Sequence, residues 1–242
     1  MESGASPPGG NHRRDGMKRL ATPTGITAAL LLMAISATVY FTAMRFLAEL
    51  SAQDARYRLE RWEAGKAKPQ DGEVAAAIAG LRAALAYEPG NPNLHSDLGR
   101  AHYWRVRSGS LVDAESRAGR EQALESFHQA ARLRPTSGHT WANVALTRYM
   151  LGHVSIEFAL ALDQTLRWAP WQPQLQLSAI QLGLATWNIL DEPRQRQVAD
   201  AIRHQAEWKM ADQKPSLIRL LRGYGRLELG CPWAGAALGC KG

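Results

Sequence analysis

Apolar positions follow two regimes along this chain. From Gly25 to Met44 the sequence reads GITAALLLMAISATVYFTAM, with no charge until Arg45. At about 1.5 Å per residue, such a run spans the roughly 30 Å hydrocarbon core of a bilayer. A backbone crossing lipid has to satisfy its own hydrogen bonds, and this run lacks proline, so it predicts a transmembrane helix over 25–45. Tyr40 and Phe41 lie toward its far end, where aromatic rings favour the interface. A cleaved signal peptide fits less well, because its apolar region is typically about 7–15 residues. No small-x-small pair follows either, since Phe41 interrupts the one ending at Ala43. Arg13-Arg14 are followed by Asp15-Gly16, which is a weak match to a twin-arginine signal.

Beyond the membrane segment the period becomes helical without becoming uniformly apolar. Phe46 to Trp62 offers two faces, either Phe46, Leu50 and Tyr57 or Leu47, Leu59 and Trp62. The stretch EAGKAKPQDG then breaks the helix, giving a juxtamembrane helix and linker over 46–72. A self-similar pattern follows. A helix over 74–88 places Ala77, Leu81 and Ala84 on one face and stops at Pro89. A helix over 121–134 places Ala123, Phe127 and Ala130 alike and stops at Pro135, with the same spacings of four, three and five residues. Small alanines admit close helix crossings, a larger residue fills the groove, and proline ends the pair.

Each proline precedes a matching first half. After Pro89 come Asn91-Pro92 and Leu98-Gly99; after Pro135 come Trp141, Val144-Ala145 and a turn at Gly152. Pro170 lies 35 residues past Pro135, against roughly 34 for a tetratricopeptide (TPR) repeat. The longer Pro89–Pro135 interval predicts a loop insertion near Arg107 to Arg120. Counting back from Pro170 gives a decayed third set, Phe158, Leu162 and Thr165. Further helices are predicted over 174–189 (Leu177, Ile180, Leu184, Trp187), 193–209 (Val198, Ile202, Trp208) and 217–229. The expectation is an all-α fold: an N-terminal transmembrane helix, TPR-like repeats over 73–210, and a capping helix and tail over 211–242. A generic helical bundle with accidental spacing is the competing reading.

Charge changes this picture little. The 242 residues carry a net charge of +7, yet from Leu59 onward basic residues are interspersed with acidic ones. No basic run alternates with aromatics, so nucleic acid is not the expected partner. Residues 1–24 read as a basic tail, disordered in its Gly-, Pro- and Ser-rich start, and Met17 is a second candidate start. Arg13, Arg14, Lys18 and Arg19 favour a cytoplasmic tail, which in a bacterium puts the domain in the periplasm, on a single inner-membrane pass. The only two cysteines, Cys231 and Cys240, form a small terminal disulfide in an oxidising space or stay as two thiols elsewhere.

No catalytic or metal motif emerges, so neither an enzyme, a metal site nor a cofactor is expected. His95 and His102 could share a helix face, but two histidines without a third ligand more often pack than ligate. Asp191-Glu192 before Pro193 suit the acidic first turn of a helix. Surface recognition remains. In a TPR stack the first helix of each pair lines the groove, which here places Asn93, Ser96, Arg100 and Tyr103 beside His139, Ala142, Asn143 and Tyr149. Asn143 matches a chaperone-clamp asparagine, but the accompanying lysines are missing. Trp104 and Trp141 are expected in the core.

At Arg134-Pro135-Thr136-Ser137, Trp141-Ala142-Asn143, Glu157-Phe158, Pro170-Trp171-Gln172-Pro173 and Gly183-Leu184-Ala185-Thr186-Trp187, the chain resembles the VpsP-like proteins. These are single-pass TPR proteins encoded with bacterial exopolysaccharide biosynthesis and export machinery. The resemblance runs from about Arg58 to His204, departing at Ala169 and Gln172, where glycine and glutamate are usual. It implies a non-enzymatic accessory role, and the expectation is a scaffold whose partners are envelope or polysaccharide-assembly proteins. Two alternatives are a chaperone adaptor and a subunit that binds or processes the polymer directly. Direct binding would need Trp171 and Trp187 exposed beside polar groups; the expectation is instead that Trp171, in its Pro-Trp-x-Pro turn, is a wedge between repeats.

Overall fold

The structure is a computed structural model that describes residues 23–107, 109–207 and 214–232. Its described residues are helical throughout, without strands. The first helix, α1, runs from Pro23 to Glu63. No glycine or proline interrupts 26–62, so the apolar segment and the juxtamembrane helix are one element instead of two. The chain divides into two compact units at Leu47/Ala48.

In the first unit the apolar side chains are exposed, among them Leu31, Met33, Val39 and Phe41. With a mean hydropathy of 1.9, this helix is long and apolar enough to cross a membrane. Its threonines turn inward on their own backbone: Thr27 Oγ1 donates to the Thr24 carbonyl, Thr38 to Ala34 and Thr42 to Thr38, at 2.8–2.9 Å. Their hydroxyls therefore need no water.

The second unit begins with the rest of α1 and continues through α2 (Asp71–Tyr87), α3 (Pro92–Val106), α4 (Ala114–Leu133), α5 (Gly138–Met150), α6 (Ile156–Trp168), α7 (Pro173–Ala185), α8 (Glu192–Glu207) and α9 (Lys214–Gly223). A 3₁₀ turn, Leu227–Gly230, follows. Successive helices from α2 to α9 pack on one another, and α5 also packs on α7, α6 on α8 and α7 on α9. From Ala48 onward, α1 docks through Ala48, Ala52, Ala55, Leu59 and Trp62, which join one core with α2 and α3. A Cβ at Gly80 of α2 would come within 2.9 Å of the Ser51 carbonyl oxygen, so the backbones meet closely there. Phe46, Leu50 and Tyr57 face away and are exposed, which decides between the two faces the sequence offered.

Three turns share one register. At Pro89, Pro135 and Pro170, the residue before the proline donates its N–H to the carbonyl five positions ahead of the proline: Ala84, Ala130 and Thr165. The residue two positions after it (Asn91, Ser137, Gln172) is the next N-cap and donates its N–H at 3.2 Å to the residue before the proline. The residue six positions after it reaches back to the end of the preceding helix. His95 Nε2 donates to the Pro89 carbonyl at 2.8 Å, Trp141 Nε1 to Pro135 at 2.7 Å, and Gln176 Nε2 to Ala169 at 2.9 Å. Different donor types thus close the same joint.

The cores behind these turns hold Ala77, Leu81, Ala84, Ala123, Phe127, Ala130, Phe158, Leu162 and Thr165, all buried. A Cβ at Gly99 would meet the Phe127 ring at 2.6 Å, and one at Gly183 would meet Val198 at the same distance.

Several expectations need correction. Among the described residues the insertion is a loop only over 109–113, because α4 starts at Ala114, capped where Asp113 Oδ2 accepts the Ser116 N–H at 2.8 Å. Helix α7 stops at Ala185, not 189; Thr186 and Trp187 already form the turn. The last helix breaks after Gly223 and turns through Gly225 at φ +64°. Trp171 is 59% exposed and is no wedge. Trp104 and Trp141 are half-buried at the edges of the two cores. The N-terminal tail, Trp208 and Cys240 lie outside the described residues.

Candidate functional site

The eight groove candidates fall into two clefts of different chemistry. Asn93, Ser96 and Arg100 of α3 and His139 and Asn143 of α5 line an opening of about 640 Å³, together with Glu49, Arg56 and Glu63 of α1. Tyr103, Ala142, Asn143 and Tyr149 line a second of about 750 Å³, walled by Leu146, Met150, Val154, Leu175 and Leu182. Asn143 belongs to both. It sits eight positions past Pro135, where α3 carries Asp97 and α7 carries Ser178, so each pair presents a polar group at one register.

The polar cleft is organised by ion pairs. Asp97 is buried and accepts from Arg56 Nε and Arg100 Nη1, both at 2.8 Å. Arg56 also pairs with Glu49, and Arg100 reaches Glu63 at 2.6 Å. A five-member chain, Glu49–Arg56–Asp97–Arg100–Glu63, therefore ties α1 to α3. The carboxylates beside Arg56 and Arg100 hold both guanidinium groups above their ordinary range against the opposing effect of burial. Arg100 thus serves the fold as well as the cleft wall. Arg134 and His139 at the same opening form no ion pair among the described residues.

The apolar cleft takes its chemistry from α5 and α7, with Tyr224 and loop residue Leu111 at its edge. Leu111 and Val112 are 60% and 93% exposed, on a loop held by Arg120. Tyr103 and Tyr149 offer two hydroxyls, and Asn143, Ser178 and Gln181 a few more polar groups, on a mostly apolar surface. Pockets with few polar groups among apolar walls are the usual form of binding sites.

The sequence reading missed Asp97, Arg56, Leu111, Leu175 and Leu182. Carrying the proline register onto α3 and α7 would have found Asp97 and α7's contribution. Arg56 had no such signal, because its partner lies 41 residues away.

His95 is spent on its turn, and His102 is buried, so the two do not present a shared face. Burial, then the nearby Arg105 and Arg82, pushes the His102 imidazole down to about 4, so it is neutral at physiological pH. Burial and then Arg148 lower His128 as well. Cys231 is disulfide-bonded, while Cys240 lies outside the described residues. No protein-family model matches the chain, and no curated protein matches it.

Proposed function

We propose that this chain is a single-pass, membrane-anchored TPR-like scaffold that holds a segment of a partner protein in the groove along α3, α5 and α7. One observation carries this reading. Helices that follow the proline turns line each cleft, α3 and α5 beside α1 in the polar one and α3, α5 and α7 beside α6 in the apolar one, with Asn143 common to both. Stacked helix pairs of this kind bury their apolar faces against neighbours and leave an extended concave surface. The apolar cleft suits hydrophobic side chains of a bound segment, and Asn143 with the two tyrosines suits its backbone. Tyrosine and arginine, both present, are common where binding energy concentrates.

The apolar helix before Leu47 anchors the chain, and the basic tail ahead of it favours a domain outside the cytoplasm. With the resemblance to VpsP-like proteins, the partners are components of an exopolysaccharide assembly system in the bacterial envelope.

Photo-crosslinking tests the groove. With a crosslinking residue at Tyr149, adducts to polysaccharide-assembly proteins are expected, and Ala142→Trp, which fills the apolar cleft, should abolish them. Adducts that persist undiminished in Ala142→Trp overturn the groove reading. Alkaline-phosphatase and GFP fusions at the C-terminus test orientation: an active phosphatase fusion is expected, and a fluorescent GFP fusion reverses it.

A further inference from the structure

A second polar cleft, sharing no residue with the groove, lies between α6 and α8. It encloses about 620 Å³ and is lined by Asp163, Gln164 and Arg167 on one side and by Gln197, Asp200 and His204 on the other. Beside it stands Trp171, its ring 5.3 Å from that of His204, with more than half of its surface open to solvent. The flanking Pro170 and Pro173 restrict the backbone here, so the indole has little freedom to lose on binding.

Neighbouring groups are also held in place. Trp168 Nε1 donates to Gln164 Oε1 at 2.6 Å, and Arg167 lies over the Trp168 ring at 5.2 Å. Asp163 Oδ2 accepts from Arg194 Nε at 3.1 Å.

The chemistry of the walls narrows the ligand. A polyanion would meet Asp163 and Asp200, and a polycation would meet Arg167. A wholly apolar ligand would cover Gln197 and Asp200 and leave Asp163 Oδ1, buried without a hydrogen bond, unserved, which is costly for desolvated polar groups. The ligand that fits has many uncharged donors and acceptors and one apolar face. Carboxylates and amides set two polar atoms side by side, as adjacent hydroxyls require, and an exposed indole takes a face of C–H groups.

We propose that this cleft, with Trp171 as its stacking platform, binds a neutral saccharide. The inference stands apart from the groove, so either can fail without the other.

The test uses the full chain in lipid nanodiscs, screened on an array of neutral and anionic oligosaccharides, with calorimetry on the best-retained neutral glycan. Removing an aromatic stacking contact is worth about 1 kcal/mol, so Trp171→Ala should weaken binding about five- to tenfold. Trp171→Phe should keep most of it, and Gln197→Ala should weaken it without touching the aromatic platform. Ala142→Trp, in the groove, should leave it unchanged. Retention of no neutral glycan, preference for the anionic ones, or affinity unaltered in both Trp171→Ala and Gln197→Ala overturns the proposal.

Discussion

Arg120 is the bulkiest side chain fully enclosed among the described residues, and it explains how an insertion fits into a repeating stack. Its Nη atoms donate to the carbonyls of Val106, Gly109 and Ser110 at 3.1–3.4 Å. Those carbonyls lie at the end of α3 and in the loop after it, where a helix dipole favours positive charge, and Val106's also accepts the Gly109 N–H at 3.1 Å. A methionine there keeps the volume but removes the guanidinium donor from all three. Arg120→Met should lose about 2–4 kcal/mol of stability and make the 109–113 loop protease-sensitive. Urea denaturation with limited proteolysis checks both; an unchanged midpoint shows the carbonyls to be served otherwise. His102 sets a pH dependence of definite sign. In the unfolded chain its imidazole protonates near its ordinary 6.5, but in the fold only near 4. Between those values only the unfolded chain takes the proton, so stability is full above 6.5 and falls as pH drops toward 4, by at most about 3 kcal/mol. His128, also lowered, adds in the same direction. Urea midpoints at pH 7 and pH 5 should show the loss, with a shallower one in His102→Phe; equal losses would exclude His102 as the source.

Among the elements, stops were more legible than contacts. Pro89, Pro135 and Pro170 are chemical punctuation, and the helices before them end within two residues of where the prolines require. The Ala-large-Ala spacing was legible too, because burial follows it even in the decayed set of Phe158, Leu162 and Thr165. Docking of α1 was harder to see. Beyond Leu59 and Trp62, which belonged to one of the two faces on offer, it rests on Ala48, Ala52 and Ala55, which carry little hydrophobic signal, while the conspicuous Phe46, Leu50 and Tyr57 stay outside. The loop reading of 114–120 failed because Asp113 caps a helix whose serine and glycine looked like breakers; Gly119 is there for space, since a Cβ would strike Val106 at 2.3 Å. The groove list read Arg100 as available when Asp97 and Glu63 hold it. The i,i+3 spacing of Asp97 and Arg100 was a local sign of this, but the carboxylate of Glu63 and the guanidinium of Arg56 come from another helix and gave none. Asp97→Asn isolates this chain of charges. It keeps the shape but weakens both Arg56 and Arg100 contacts, and should cost about 1–3 kcal/mol. Hydrogen exchange should then rise in 48–63 more than in α5–α8. A uniform rise would mean that Asp97 stabilises the domain at large and not the seat of α1.

For the molecule as a whole, the sequence showed which segment is apolar enough to cross a membrane but left compartment to small charge differences. The cysteines supply an independent reading. Disulfides persist in oxidising spaces such as the periplasm and are reduced in the cytosol, so the bonded state of Cys231 is tied to the side on which the domain sits. Cys240 is the only other cysteine in the chain, and closing a loop of about ten residues is worth about 2.7 kcal/mol by the loop-entropy argument. The redox state of the pair reports the compartment directly. The test is compact, because trypsin cutting after Arg226 and Lys241 leaves both cysteines in one peptide, Leu227–Lys241. Membranes are prepared with an alkylating agent present and no reductant. The outward orientation predicts that this peptide carries no alkyl group and weighs two hydrogens less than its reduced form. After reduction it should take up two alkyl groups. Double alkylation before any reductant is added would place the domain on the reducing side of the membrane, and would reverse the topology together with the envelope partners proposed for the groove.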